Sequence, residues 1–366
     1  MLFPLFATVP DHRVTGRCTY PLADLLTIAL LTYVCGGEDY VDMSEFALTR
    51  ARDLGLLADC GDCSPSPDTF ERLFSAVSPE EIERCLREHG RRFLDSVADK
   101  QVVIDGKKLR GVSPRSRGAK GDYLLHAYVS ENHLLLGQVP VKDKGNELSA
   151  LPGLLDKLDL SGAVVSLDAM GTQTDIARRL RQKEAHYLLA VKENQAGLLQ
   201  GIREAFALHK PAEAATCMEP GHGRIETRSC RILPASRLDD PALAARWTDI
   251  KTLVEVSSQI DHGDRQTHTT RWFISDEDHP SAAYFNLLVR GHWAIENQLH
   301  WHLDVTFLED ASRARKGFAP QNLSLLRKIA LQGVKAHNDK RSIRKRLFRA
   351  ALSQDYLREL LLNFKF

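Results

Sequence analysis

The stretch "GAVVSLDAMGTQTDIARRLRQKEAHYLLAVK", residues 162–192, decides the fold class. Val164 to Leu167 is a short apolar run rich in β-branched residues, which predicts a strand. "TQTDIARRLRQK" then sets Ile176, Ala177 and Leu180 at helical spacing among charged residues, and "AHYLLAVK" is a second apolar strand. Upstream, "QVVID" predicts a strand, "YLLHAYVSENHLLLGQVPV" predicts a hairpin turning at Glu131-Asn132, and Asn146 caps a helix over "ELSALPGLLDKLDL". Strands alternating with helices in this way predict an α/β fold: a mixed sheet with flanking helices.

On either side the pattern changes. The first ninety or so residues carry helix signals alone. "PLADLLTIALLTYVCGG" stops at a glycine pair, and "SPDTFERLFSAV" and "SPEEIERCLREHGRRFLDSV" open with Ser-Pro and acidic first turns. Between Cys217 and Asp276, "GRIETRSCRIL", "IKTLVEVSSQI" and "THTTRWFIS" alternate polar with apolar residues and predict an inserted β subdomain. Helices return with "AAYFNLLVRGHWAIENQLHWHLDV". The expected division is a helical N-terminal domain over 1–97, an α/β domain over 98–340 with the β insertion at about 210–278, and a basic helical tail over 341–366.

Composition excludes several classes. The chain has 366 residues, 43% apolar and 27% charged, with a net charge of +1, so overall charge names no partner. Its distribution is more telling. Lys107, Lys108, Arg110, Arg115, Arg117 and Lys120 follow one another without an acidic residue, and twelve Lys or Arg from Arg313 to Arg349 face one carboxylate, Asp339. Such runs fit either a solvated face or a polyanion surface. The longest apolar stretch, Leu25 to Cys35, falls well short of the roughly twenty residues a bilayer needs, which predicts a buried helix and no membrane partner. The N-terminus lacks a basic leader, and seven scattered cysteines fit a reducing, cytoplasmic location. Cys60 and Cys63 have metal-pair spacing without a second pair to complete a zinc site.

Two of the predicted strands end in an aspartate close to glycine: Asp105 after "VVI" and Asp168 after "VVSL". Ligands of open α/β sheets sit at the carboxyl ends of strands. If those strands are neighbours, the two carboxylates converge and repel unless a cation joins them. A hard ion such as Mg²⁺ takes one or two carboxylates and completes its shell with water and phosphate oxygens. Glu296, beside the apolar Trp293, Ile295 and Leu299, is the candidate third carboxylate, with Glu309 and Asp310 as substitutes in another helix register. The competing assignment for a strand-terminal Asp is a turn former or helix cap. At Asp168 that role is expected to fall to Thr172 instead.

"VVIDGKKLRG", "LDAMGTQTDIA", "YLLAVKENQ", "GHGRIETR" and "HWAIENQLHWHLDVTFLEDASRARKG", in this order, resemble the H-repeat-associated, or ISAs-type, insertion-sequence transposases of bacteria. The N-terminal "DHRVTGRCTYPLADLLTIALLTYVCGGEDYVDMSEFA" resembles the same group, so the likeness spans nearly the whole chain. The resemblance implies a ribonuclease-H-like sheet with a β insertion before the last catalytic helix. By motif position it implies a DDE triad at Asp105, Asp168 and Glu296. It further implies two Mg²⁺ ions, with Mn²⁺ as a substitute, double-stranded DNA as partner, and a homodimer on DNA. In broader relatives a Tyr, an Arg and a Lys flank the Glu; here those positions are Val289, His292 and Leu303.

Expected DNA contacts are Lys107, Lys108 and Arg110 after the first Asp, Lys192 and Asn194 after "YLLAV", and Arg290, His292 and His300 as substitute donors around Glu296. His292, Glu296, His300 and His302 also permit a zinc site, although zinc leaves Asp105 and Asp168 unexplained. Trp293 and Trp301 are expected in the core. Three readings stay open: a transposase that cuts and joins DNA, a metal-dependent nuclease without strand transfer, and a DNA-binding remnant without catalysis.

Overall fold

Three parallel strands carry the centre of the molecule. In the computed structural model, which describes residues 4–112, 122–141, 147–221, 224–263 and 265–364, β1 (Gln101–Lys108) pairs in parallel with β4 (Val164–Leu167), and β4 with β5 (His186–Val191). β2 (Tyr123–Val129) and β3 (Leu134–Val141) form the expected hairpin against the free side of β1. This gives the order β3-β2-β1-β4-β5 with β2 antiparallel to the rest, the ribonuclease-H-like mixed sheet that the sequence implied.

The insertion extends this sheet instead of forming a separate subdomain. β6 (Glu213–Gly221), β7 (Arg224–Pro234), β8 (Thr252–Asp261) and β9 (Gln266–Ser275) are antiparallel, and β9 joins β5, so nine strands run in one sheet. The sequence predicted three strands here. The fourth, β6, is the outer edge and contains Pro220, a residue that edge strands tolerate because one row of amides has no partner there.

Helices cover both faces. α1 (Leu22–Val34), α2 (Tyr40–Phe46), α3 (Pro67–Ala76) and α4 (Pro79–Arg91) precede the sheet. As expected, α1 is buried along almost its whole length; the chain leaves it at Gly36, whose φ of 84° few other residues adopt. α5 (Glu147–Asp156), α6 (Thr174–Gln182) and α7 (Ala196–Leu208) pack on the sheet face bearing Val102 and Ile104. Asn146, the expected cap of α5, and Arg115, Arg117 and Lys120 lie outside the described residues. The short α8 (Pro241–Ala245) bridges β7 and β8.

After β9 come α9 (Ala282–His292), two π-helical turns (Glu296–His300 and His302–Thr306), α10 (Ala319–Ala336), α11 (Ile343–Leu352) and α12 (Gln354–Leu362). α10 to α12 share one apolar core with α1, α3 and α4 and with Val103 of β1. The segment expected as a basic tail is therefore two helices with buried faces. The long basic run divides in the same way: Arg327 and Lys328 are buried within α10, whereas Arg344 and Lys345 are exposed on α11. Among the described residues no helix is long and apolar enough to cross a membrane.

Candidate active site

Register sets the first two carboxylates side by side. The parallel pairing of β1 with β4 ends at Ile104 and Leu167, so Asp105 and Asp168 are the next residue on each strand. The sequence predicted Asp105 as a strand terminus, but β1 continues to Lys108 on its other side, paired with β2. Residues alternate faces along a strand, so Gln101, Val103, Asp105 and Lys107 share one face. α9 and the π turns follow that face. Gln101 Nε2 donates to Leu288 O (2.7 Å), His300 Nδ1 lies 3.9 Å from Asp105 Oδ2, and Lys107 Nζ donates to Asp304 Oδ1 (2.6 Å).

Glu296 opens the first π turn, a widened helical turn of a kind frequent at functional sites. With Asp105 and Asp168 it lines a pocket of about 260 Å³ whose wall includes Lys192, Arg271, His292 and Trp293. Among the described residues none of the three carboxylates is ion-paired with a Lys or Arg; their one basic neighbour within 4.0 Å is His300, 3.4 Å from Glu296 Oε2. Burial pushes Asp105 up to about 6; His300 counters this, while Glu296 and Asp168 add to it. The His300 imidazole beside it holds Glu296 below the usual carboxylate range. Asp105, Glu296 and His300 offer donor atoms within 4.8 Å of one another.

Asp168 uses its two carboxylate oxygens differently. One oxygen, Oδ1, accepts from the amides of Met170 (3.0 Å) and Gly171 (3.3 Å) and caps a tight turn, the role the sequence reading gave to Thr172. Thr172 instead donates its hydroxyl to Ala190 O (2.6 Å), tying the turn to β5. Asn194 Nδ2 donates to Ala169 O (2.6 Å), so this expected DNA contact braces the Asp168 turn. The cap fixes the carboxyl group with Oδ1 and leaves Oδ2 without a hydrogen bond among the described residues.

The other expected contacts separate. Lys107 is 6% exposed and enclosed by Asp304, Glu309 and Asp310, so it cannot meet a DNA phosphate. Burial works to lower its pKa, and the carboxylates around it prevail and raise it. The same ion pairs remove Glu309 and Asp310 as third-carboxylate candidates. Lys108 sits over the Tyr123 ring, and Arg110 has its side chain 79% exposed. Lys192 is exposed at the pocket mouth; Arg290 is paired with Glu219 (3.0 Å) and is not in the pocket wall. His292 Nδ1 contacts Ser166 Oγ (3.0 Å), and burial lowers its pKa to about 4. His300 is 4% exposed, behind the carboxylates and out of reach of a backbone phosphate.

The four-residue zinc constellation does not assemble: Glu296 and His300 come together with Asp105, whereas His302 contacts the Thr306 hydroxyl and His292 contacts Ser166. Trp293 and Trp301, expected in the core, are 45% and 51% exposed. Trp293 joins the pocket wall with the guanidinium of Arg271 4.9 Å from its ring centroid. Sequence reading missed Arg271, which sits in the alternating strand "THTTRWFIS" with no local mark of its partner.

The family described as transposase DDE domain matches residues 98–332, and its associated family matches residues 3–89. The chain is 31% identical to YncI, a candidate transposase of Escherichia coli O157:H7, over 98% of this chain and 94% of that protein. It is 32% identical to the H repeat-associated YhhI of Escherichia coli K12, also named a candidate transposase, over 96% and 95%. A solved piggyBac transposase synaptic complex with hairpin DNA aligns at a TM-score of 0.45 and 12% identity, covering 100% of this chain and 80% of that one. The chain belongs to the transposase family that carries a DDE domain.

Proposed function

We propose that this protein cuts the ends of an insertion sequence and joins the freed 3′-hydroxyls to target DNA by metal-dependent phosphodiester chemistry. One observation carries the reading. Asp105, Asp168 and Glu296 converge on one pocket, and among the described residues no Lys or Arg is paired to any of them. Their oxygen donors fit Mg²⁺, with Mn²⁺ as a substitute. Two such ions, when bound, supply Lewis-acid activation of the attacking oxygen and charge neutralisation at the leaving one.

The chain's own part is placement. Asp105, next to Asp168 by strand register and close to Glu296, would hold the ions together with them. The amides of Met170 and Gly171 fix Asp168, and the π turn presents Glu296. Lys192 and Arg271 on the pocket wall suit the scissile phosphate and its neighbour, an arrangement that would give steep salt dependence. Two element ends must be processed together, which calls for two copies of the chain on DNA, acting in the cytoplasm where the nucleoid lies.

The test is cleavage and joining of labelled duplex carrying the DNA that flanks this reading frame, with Mg²⁺ or Mn²⁺, comparing wild type with Asp168→Asn. Metal-dependent joining that is abolished in the variant supports the transposase reading. Cutting without joining replaces it with a nuclease, and binding without cutting by either protein replaces it with a DNA-binding remnant.

A further inference from the structure

The three-carboxylate site leaves His300 without a part. Its Nδ1 faces Glu296 Oε2 at 3.4 Å and Asp105 Oδ2 at 3.9 Å. A hydrogen bond between an imidazole and a carboxylate closes to about 2.7–2.9 Å when charge assists it. Both separations are longer than that. They fall between the separations of donors that share an octahedral ion, about 3.0 Å when adjacent and about 4.2 Å when opposite for bonds of about 2.1 Å.

The far side of the ring is also arranged. His300 Nε2 meets His126 Nδ1 at 3.1 Å, and His126, on β2, is fully buried. Ligating imidazoles are held in this way, by a hydrogen bond at the nitrogen that does not face the metal. His126 Nε2 has no partner among the described residues, so His300 is the one hydrogen-bond partner of the His126 ring there. The π turn gives Glu296 and His300 one facing direction, and β1 brings Asp105 to meet them.

We infer that His300 is a nitrogen ligand to the divalent ion held by Asp105 and Glu296, with His126 as its positioning residue. The inference rests on the metal-dependent reading of the site and deepens it. The two ion positions that share Asp105 are then unlike: one has oxygen donors from Asp105 and Asp168, and the other has mixed donors from Asp105, Glu296 and His300. An imidazole favours transition-series ions over Mg²⁺, so the second position binds Mn²⁺ or Zn²⁺ more tightly relative to Mg²⁺ than the first position does.

The test uses the full chain, freed of metal by chelation and titrated with Mn²⁺, with pulsed electron paramagnetic resonance reading ¹⁴N modulation on the bound ion. The expected result is ¹⁴N modulation in wild type and in His292→Gln, its loss in His300→Gln, and its replacement by ¹⁵N modulation when histidine alone is ¹⁵N-labelled. The label requires no substitution, so the outcome does not depend on His300→Gln folding. The ratio of Mn²⁺ to Mg²⁺ affinity should fall about tenfold or more in His300→Gln. Bound Mn²⁺ without nitrogen coupling in wild type, or coupling that persists in folded His300→Gln, overturns the inference alone. Failure of wild type to bind Mn²⁺ at all overturns the metal-dependent reading along with it.

Discussion

Two charged clusters lie side by side on the same face of β1, and they are completed in opposite ways. Around Lys107, three carboxylates (Asp304, Glu309 and Asp310) surround an ammonium that the chain itself supplies. Lys328 extends the network by donating to Gln138 and Ser324, and Ser324 in turn donates to Glu309. Two residues away along the strand, Asp105, Asp168 and Glu296 have no such cation among the described residues. The inner cluster is charge-compensated within the chain and ties the π turn of Asp304 to the strand. The outer cluster opens on a pocket and, among the described residues, has no Lys or Arg paired to it. The difference separates a structural ion network from a site better than the number of acidic residues does.

The largest effect that tests this contrast is on chemistry. Asp168→Asn keeps the oxygen that caps the Ala169 turn and removes a charge from the outer cluster, so strand cleavage should fall by about 10³-fold or more, roughly 4 kcal/mol of barrier, with folding intact. A folded variant that cleaves at the wild-type rate breaks the contrast. Lys107→Met should do the reverse and act first on stability. Removing one partner from a buried ion network strands its counter-charges, at a cost of about 3 kcal/mol measurable by urea unfolding. A Lys107→Met protein as stable as wild type shows that the inner cluster does not hold the π turn.

A third effect sharpens the comparison through pH. Burial raises Asp105 from 3.8 to about 6, so in metal-free protein the native state binds more protons than the unfolded state between about pH 4 and pH 6. Stability therefore falls as pH rises through that window. Asp105→Asn cannot lose this proton. Its stability relative to wild type should increase from pH 4 to pH 6 and level off above, by on the order of 3 kcal/mol. Denaturant titrations in the presence of chelator measure this directly. Added Mn²⁺ should close the gap by stabilising wild type alone, and a gap that does not change with pH removes the electrostatic account.

How much of this the sequence revealed follows from the range of the interactions. Asp105 and Asp168 were legible because each follows an apolar run that predicts a strand, and register then brings them together. Glu296 was legible beside its apolar neighbours. Lys107 was not, because its Asp304 partner is 197 residues away and no local pattern marks the pairing. Trp293 and Trp301 were misplaced for a different reason: large aromatic side chains are mostly buried, and nothing local marks the two that remain about half exposed. The capping role of Asp168 was missed because Thr172, another residue type that caps, follows it closely and drew the assignment.

The smallest predicted effect concerns which lysine meets DNA. Charge counting along the chain treats Lys107 and Lys192 alike, yet one is enclosed by three carboxylates and the other is exposed at the pocket mouth. Removing one lysine–phosphate pair should reduce the slope of log binding constant against log salt by about 0.9. Lys192→Ala should therefore weaken duplex binding by a similar factor for every sequence and flatten the slope by about that amount, as read by fluorescence anisotropy over a range of salt. Lys107→Met, measured at a temperature where it remains folded, should leave the slope unchanged, because that ammonium already has its counter-ions within the protein. If the two variants exchange these behaviours, the inner cluster opens when DNA binds, and the division between a closed ion network and an open site holds only for the free protein.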